Sequence, residues 1–196
     1  MKSTSEAIRS LFEHRGDSQY GGEAVSQLEH ALQAAALGRE EGADESLIVA
    51  ALLHDVGHLL HSLPDDAPEK NIDDLHEDRA AEWLEKHFGP AVTEPVRLHV
   101  AAKRYLCAVD PHYLGQLSQP SVISLRLQGG PMSAAEIAQF QGTPFHEGAI
   151  RLRRWDDTAK VPGLATPSLE DCLEMIDRVA KKFPPVAHPL SEKEPT

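Results

Sequence analysis

AALLHDVGHLLH, residues 50–61, is the stretch on which the fold turns. It carries an apolar run, Ile48 to Leu53, straight into His54 and Asp55. A second histidine, His58, follows one helical turn on, and apolar residues then resume. Burying an unpaired carboxylate in such a setting is costly, and a neutral imidazole also needs partners. The stretch therefore demands polar or cationic groups brought in from elsewhere in the chain.

Most of the chain reads as helix. A first helix covers Glu6 to His14, and RGDSQYGG breaks it with two glycines. A long helix, rich in good helix formers, is predicted from Glu23 to Glu41. Asp44 then caps the next helix, which runs on through HDVGHLL. SLPDDAPEKNIDD reads as a polar loop, and LHEDRAAEWLEKHF as a helix stopped by Gly89-Pro90. EPVRLHVAAKRYLCAV places Pro95 in its first turn, where proline is tolerated. SVISLRLQ, PMSAAEIAQF, FHEGAIRLRRWDDTAK and PSLEDCLEMIDRVAKKF complete the helical set. No Val/Ile/Thr alternation argues for a sheet. The expectation is a single all-α helical bundle over residues 1–184, with a mobile Pro- and charge-rich tail at 185–196.

Composition narrows the function. A length of 196 residues suffices for one domain with a real core. The balance of 41% hydrophobic and 26% charged residues is that of a soluble globular protein. No apolar run is long enough to span a membrane, and MKSTSEAIRSLFEHRGD lacks the apolar segment of a signal peptide. Two cysteines, Cys107 and Cys172, make no disulfide framework, so a reducing cytoplasm is expected. A formal charge of −12 repels phosphate backbones and argues against nucleic-acid binding. Residues 103–160 depart from that balance, with seven Lys/Arg against five Asp/Glu, which leaves room for a basic pocket that takes a small anion.

Eleven histidines, several on predicted helices, call for a test of metal binding. His30, His54 with Asp55, His76, His99 and Asp156 come from five different helical segments. Helices of a bundle project such groups into a shared interior. Imidazole and carboxylate suit iron, zinc, manganese or cobalt, and one carboxylate can bridge two cations with its two oxygens. Asp55 beside His54 is placed to do that, and the cations would neutralise the buried carboxylate.

The ordered set resembles the six-ligand dinuclear branch of the HD-domain superfamily. QYGGEAVSQLEH, HDVGH, HVAAKRYL, LQGGPM and RRWDDTAK, spanning Tyr20 to Lys160, are similar to the PhnZ-type oxygenases, mixed-valent diiron enzymes that cleave carbon–phosphorus bonds. The resemblance implies one iron held by His30, His54, Asp55 and Asp156, with Asp157 as the lesser candidate for the last position. Asp55 then bridges to a second iron held by His76 and His99, which keeps positions open for substrate and dioxygen. His58 and Lys103, each one turn after a ligand, point to the phosphonate, with Ser121 and Ser124 adding hydroxyl donors. Tyr20 and Glu23, about the adaptable Gly21-Gly22, form a latch at the substrate's amino end. Arg153 and Arg154 support Asp156 or face water. His61, His87, His112, His146 and His188 read as ordinary core or surface residues.

The implied reaction is dioxygen-dependent cleavage of a short 1-hydroxyphosphonate carrying a cationic nitrogen. The substrate is 2-amino-1-hydroxyethylphosphonate or its N-trimethyl analogue, and the products are phosphate and glycine or glycine betaine. The loop after the HD pair, which is least like the family pattern, leaves the nitrogen substituent open. Two other readings compete. In one, a metal-dependent phosphohydrolase uses the same ligands to activate water. In the other, a non-catalytic scaffold has kept its ligands.

Overall fold

The computed structural model describes residues 3–60 and 75–182. Among these residues it holds ten α-helices, one short 3-10 turn (Tyr113–Gln116) and no strand; an isolated bridge joins Gln19 and Ser26. The helices are α1 (Thr4–Arg15), α2 (Gln27–Glu40), α3 (Glu45–Leu53), α4 (Val56–Leu60), α5 (His76–Leu84), α6 (Pro90–Val109), α7 (Gln119–Leu127), α8 (Ala134–Gln141), α9 (His146–Thr158) and α10 (Glu170–Lys182). No helix among the described residues is long and apolar enough to cross a membrane. His61, the loop through residue 74, His188 and the tail 185–196 lie outside the described residues.

The centre of the bundle is α3. Every residue from Leu47 to Leu53 is buried. A helix that is apolar all round belongs inside other helices, and α2, α6, α9 and α10 pack about it. Each large side chain there, such as Leu52 or Leu53, contributes about 1.5–3 kcal/mol by burial. Asp44 accepts from the Leu47 N–H and fixes where the helix starts. Gly148 of α9 leaves room for Leu47 and Pro95, so α9 closes against both α3 and α6.

Three boundaries differ from the sequence reading, each for a local reason. The second helix begins at Gln27, not Glu23, because Ser26 caps it. The Ser26 hydroxyl accepts from the Glu29 N–H, and the Glu29 carboxylate accepts from the Ser26 N–H. The sixth begins at Pro90, so Pro95 lies inside a 20-residue helix rather than in its first turn. The helix through HDVGHLL breaks at His54-Asp55. His54 Nδ1–H donates back to the Ala51 carbonyl at 2.8 Å. The His58 N–H closes a tight turn on the Asp55 carbonyl at 3.0 Å. That break turns two consecutive side chains toward one interior point.

On the far side of the break, α4 meets the start of α5 backbone to backbone. A methyl group added at Gly57 would lie 2.0 Å from the His76 carbonyl oxygen. Leu75 leads into α5 at φ 49°, in the left-handed region. Gly57→Ala is therefore expected to displace His76, lowering folding stability by about 2 kcal/mol and weakening metal retention on the His76 side. Thermal denaturation and metal analysis of the variant check this; an unchanged melting temperature with full metal content would contradict it.

Candidate metal centre

Four helices and the α3–α4 break bring six side chains together. His30 comes from α2, His54 and Asp55 from the break, His76 from the first position of α5, His99 from α6 and Asp156 from α9; all six are buried. They form two groups that share Asp55. In the first, His30, His54, Asp55 and Asp156 each offer a ligand atom within 4.8 Å of the others; Asp55, His76 and His99 do the same in the second.

The two oxygens of Asp55 face different histidine pairs. Oδ2 lies 3.3 Å from His54 Nε2 and 3.6 Å from His30 Nε2. Oδ1 lies 3.5 Å from both His76 Nε2 and His99 Nε2, yet it is buried and accepts no hydrogen bond. Such an orphaned oxygen is rare in a native interior, and a second cation would satisfy it. Asp156 Oδ1 completes the first group, 3.5 Å from His30 Nε2.

The imidazoles point the same way. His30 Nδ1–H donates to the Ala159 carbonyl (2.8 Å), as His54 Nδ1–H does to Ala51. With both Nδ1 protons committed, both Nε2 atoms present lone pairs. These two atoms face each other at 3.2 Å. Only an added proton or a metal cation between them relieves that contact. Backbone carbonyls that fix the outer nitrogen are a usual support of a metal-ligating histidine, and His99 has the same arrangement with Val96 (2.6 Å).

Electrostatics agree with the geometry. Burial disfavours the charged form of His54, but Asp55 and Asp156 outweigh it and lift the pKa to about 10. Burial pushes His30 down to about 4. The two facing Nε2 atoms, with Asp55 and Asp156 beside them, thus make a place that favours a cation. Burial also opposes ionisation of Asp55 and Asp156. His54 holds Asp55 well below the usual carboxylate range, and Arg153 does so for Asp156.

Arg153 decides between the two adjacent carboxylates of α9. Its Nη1 sits 2.8 Å from Asp156 Oδ2, while its other nitrogens bind Asp157, which also takes the Tyr113 hydroxyl. Asp157 is thereby turned away from the histidines and Asp156 is turned toward them. Arg154 is half-exposed and faces Asp110 instead.

A cavity of about 100 Å³ adjoins the second group. Its lining includes Tyr20, Glu23, His58, Lys103, Ser121 and Ser124, so every sequence-derived substrate candidate reaches it. Lys103 is buried and its Nζ donates to Ser124 Oγ (2.8 Å). Burial, then the charge of Arg153, lowers its pKa to about 7. His58 stacks on His76 at 4.2 Å. Tyr20 lies deeper than expected for a latch at the substrate's amino end: its ring stacks on His30 at 3.8 Å and its hydroxyl donates to Asp156 Oδ1 (3.2 Å). The Ser121 hydroxyl accepts from Lys160 Nζ (3.2 Å).

Two polar lining residues, Lys160 and Gln128, are absent from the sequence-derived set. For Lys160 a signal existed. It stands four positions after Asp156, as His58 does after His54 and Lys103 after His99, so each of three ligands is followed one turn on by a cationic or potentially cationic group. Of the remaining histidines among the described residues, His87 lies beside Trp83 and His146 beside Phe140. Neither lines the cavity, and nor does His112.

Comparison with known proteins places this arrangement. The HD-domain family model matches residues 27–159. The chain is 50% identical to a hydroxymethylphosphonate dioxygenase of Gimesia maris, over 88% of this chain and 91% of that protein. It is 42% identical to the [1-hydroxy-2-(trimethylamino)ethyl]phosphonate dioxygenase (glycine-betaine-forming) of Leisingera caerulea, over 90% of each chain. An uncharacterized protein of Acanthamoeba polyphaga mimivirus is 37% identical over 79% of this chain and 71% of its own length. The chain belongs to the HD-domain family, in its PhnZ-type dioxygenase branch.

Proposed function

We propose that this enzyme cleaves the carbon–phosphorus bond of a short 1-hydroxyphosphonate with dioxygen, giving phosphate and the carboxylate of the remaining fragment. The carrying observation is a carboxylate, Asp55, shared by two histidine groups beside a small cavity with cationic and hydroxyl donors. His30, His54, Asp55 and Asp156 would hold one iron, and Asp55, His76 and His99 the other. When bound as a mixed-valent Fe(II)/Fe(III) pair, the irons supply the redox and dioxygen chemistry.

The chain's own groups bind, orient and exclude water. Lys103 Nζ and the hydroxyls of Ser121 and Ser124 converge on one wall, where charge-assisted hydrogen bonds hold a phosphonate. His58, stacked on His76, faces the same space and adds a further donor. Tyr20 covers His30 and Asp156 and keeps water from the first group. Arg153 keeps Asp156 anionic and aimed inward. At about 100 Å³ the cavity is well below the size that takes a drug-like ligand, which suits a substrate of few atoms.

The two relatives bracket the substrates, one without nitrogen and one with a trimethylammonium group. For hydroxymethylphosphonate the balance is simple. The carbon–phosphorus bond breaks, both atoms of one dioxygen enter the products, and formate and phosphate leave. The sequence-derived substrates, 2-amino-1-hydroxyethylphosphonate and its N-trimethyl analogue, follow the same balance to glycine and glycine betaine. Free Cys107 and Cys172 suit the expected cytoplasmic location.

The test is phosphate release by iron-loaded protein from all three compounds, with and without dioxygen. The expected result is release from at least one of them only when dioxygen is present. Release from a simple phosphate ester without dioxygen would move the assignment to the phosphohydrolase reading.

A further inference from the structure

Two histidines of the metal centre, His54 and His99, bond carbonyls three residues back in the chain, at Ala51 and Val96. His30 is different. Its Nδ1–H donates across elements to the Ala159 carbonyl (2.8 Å), just past the end of α9. The carbonyls at a helix end have no partner within the helix, so α9 alone does not fix where this one points. The support comes from Gln33, one turn after His30 on α2 and 1% exposed. Its Nε2 donates to the Val161 carbonyl (2.8 Å), and its Oε1 accepts from the Val161 N–H (3.0 Å). Both ends of one buried amide thus clasp the backbone of one residue, and both of its polar atoms are satisfied there.

The spacing ties this clasp to the metal centre. His30 and Gln33 share one face of α2, and their partners, Ala159 and Val161, lie two apart on the segment that leaves α9. The four residues close one circuit, from ring to carbonyl, along the backbone to the amide, and back one helical turn to the ring. Gln33 itself does not line the cavity, so it acts only through its partners. Without the clasp the Ala159 carbonyl loses its fixed place at Nδ1. The neutral ring can then carry its proton on Nε2, the atom that faces Asp55 and Asp156. We propose that Gln33 is a positioning residue for the first metal group: by holding Val161 it holds the Ala159 carbonyl, which commits the His30 proton to Nδ1 and the Nε2 lone pair to a cation. This rests on the metal-centre reading above and extends it to a residue outside the ligand set.

Zinc-loaded protein tests it, because zinc takes the same ligand types and undergoes no redox change. Nuclear magnetic resonance of protein with isotopically labelled histidine is expected to find the Nδ1 protons of His30, His54 and His99 in slow exchange with water. Gln33→Met keeps the side-chain volume and removes both hydrogen bonds. It is expected to speed exchange of the His30 proton by about tenfold or more and to leave His54 and His99 unmoved. Zinc affinity at one of the two sites is expected to fall by about 10–100-fold. The Val161 side chain is 48% exposed, so Val161→Pro acts mainly by removing the N–H that Gln33 accepts. It is expected to repeat the selective loss, which preserves the test if Gln33→Met fails to fold, whereas Val161→Ala keeps that N–H and behaves as the native protein. Native His30 exchange and native zinc affinity in Gln33→Met or Val161→Pro, or a change shared equally by all three histidines, overturns the role of Gln33 while leaving the metal centre in place. Uptake of fewer than two zinc ions by the native protein overturns both.

Discussion

Asp55→Ala is expected to abolish activity and to strip both proposed metals at once. Its two oxygens serve different histidine pairs, so its loss removes a ligand from each site, whereas His99→Ala removes one from the second group alone. Phosphate release is expected to fall by about a thousandfold or more, beyond the roughly 10–100-fold typical of losing a mere support of a ligand. Metal analysis is expected to find neither ion retained. Stability follows in the same direction. In metal-free protein Asp55 pairs with His54, which holds its pKa well below the usual carboxylate range, so Asp55→Asn is expected to melt lower than the metal-free native protein at neutral pH. Metal raises the native melting temperature but not that of the variant. A variant that kept both metals and turned over would show that Asp55 is not the bridge.

Lys103→Met is expected to raise KM for the phosphonate by about a hundredfold, because it removes the buried cation beside Ser124. The same residue sets a pH dependence. Burial and then Arg153 bring its pKa to about 7, so it is charged below that value and increasingly neutral above it. Phosphonate affinity therefore falls as pH rises past about 7, by up to about tenfold per pH unit for this group, and Lys103→Arg, which stays charged, flattens the profile. The stability consequence has a definite sign. Above pH 7 the folded chain loses this proton while the unfolded chain keeps it to about 10.4, so the unfolded state binds more protons. This group's contribution to stability accordingly rises with pH across that window. Comparing the KM profiles of native protein and Lys103→Arg checks the assignment; identical slopes would contradict it.

Much of this architecture was legible in the residues. The helical class followed from composition and punctuation, and the six clustered side chains from helical placement joined to a known pattern. What escaped depends on contacts between segments distant in sequence. The cap at Ser26 was readable from Ser26 and Glu29, but the helical character of the residues before it masked it. The break at His54-Asp55 arises because an imidazole bonds its own helix's carbonyl, which no periodicity encodes. Gly57 looks like an ordinary helix weakness until the His76 carbonyl lies against it. The choice of Asp156 over Asp157 stayed open because Arg153 and Tyr113, which orient the pair, are not both local to it. Lys160 carried a signal, its place one turn after Asp156, but its partners, Glu23 and Ser121, lie far from it along the chain.

Oxygen from dioxygen is expected to enter the carbon fragment at the site built around Asp55. The direct measurement is turnover of hydroxymethylphosphonate by iron-loaded protein under isotopically labelled dioxygen, with the carboxylate product analysed by mass spectrometry. Label in the formate, with dioxygen consumed in step with phosphate released, is the expected result. Phosphate formed at an undiminished rate without dioxygen, with no label in the carbon product, would contradict it.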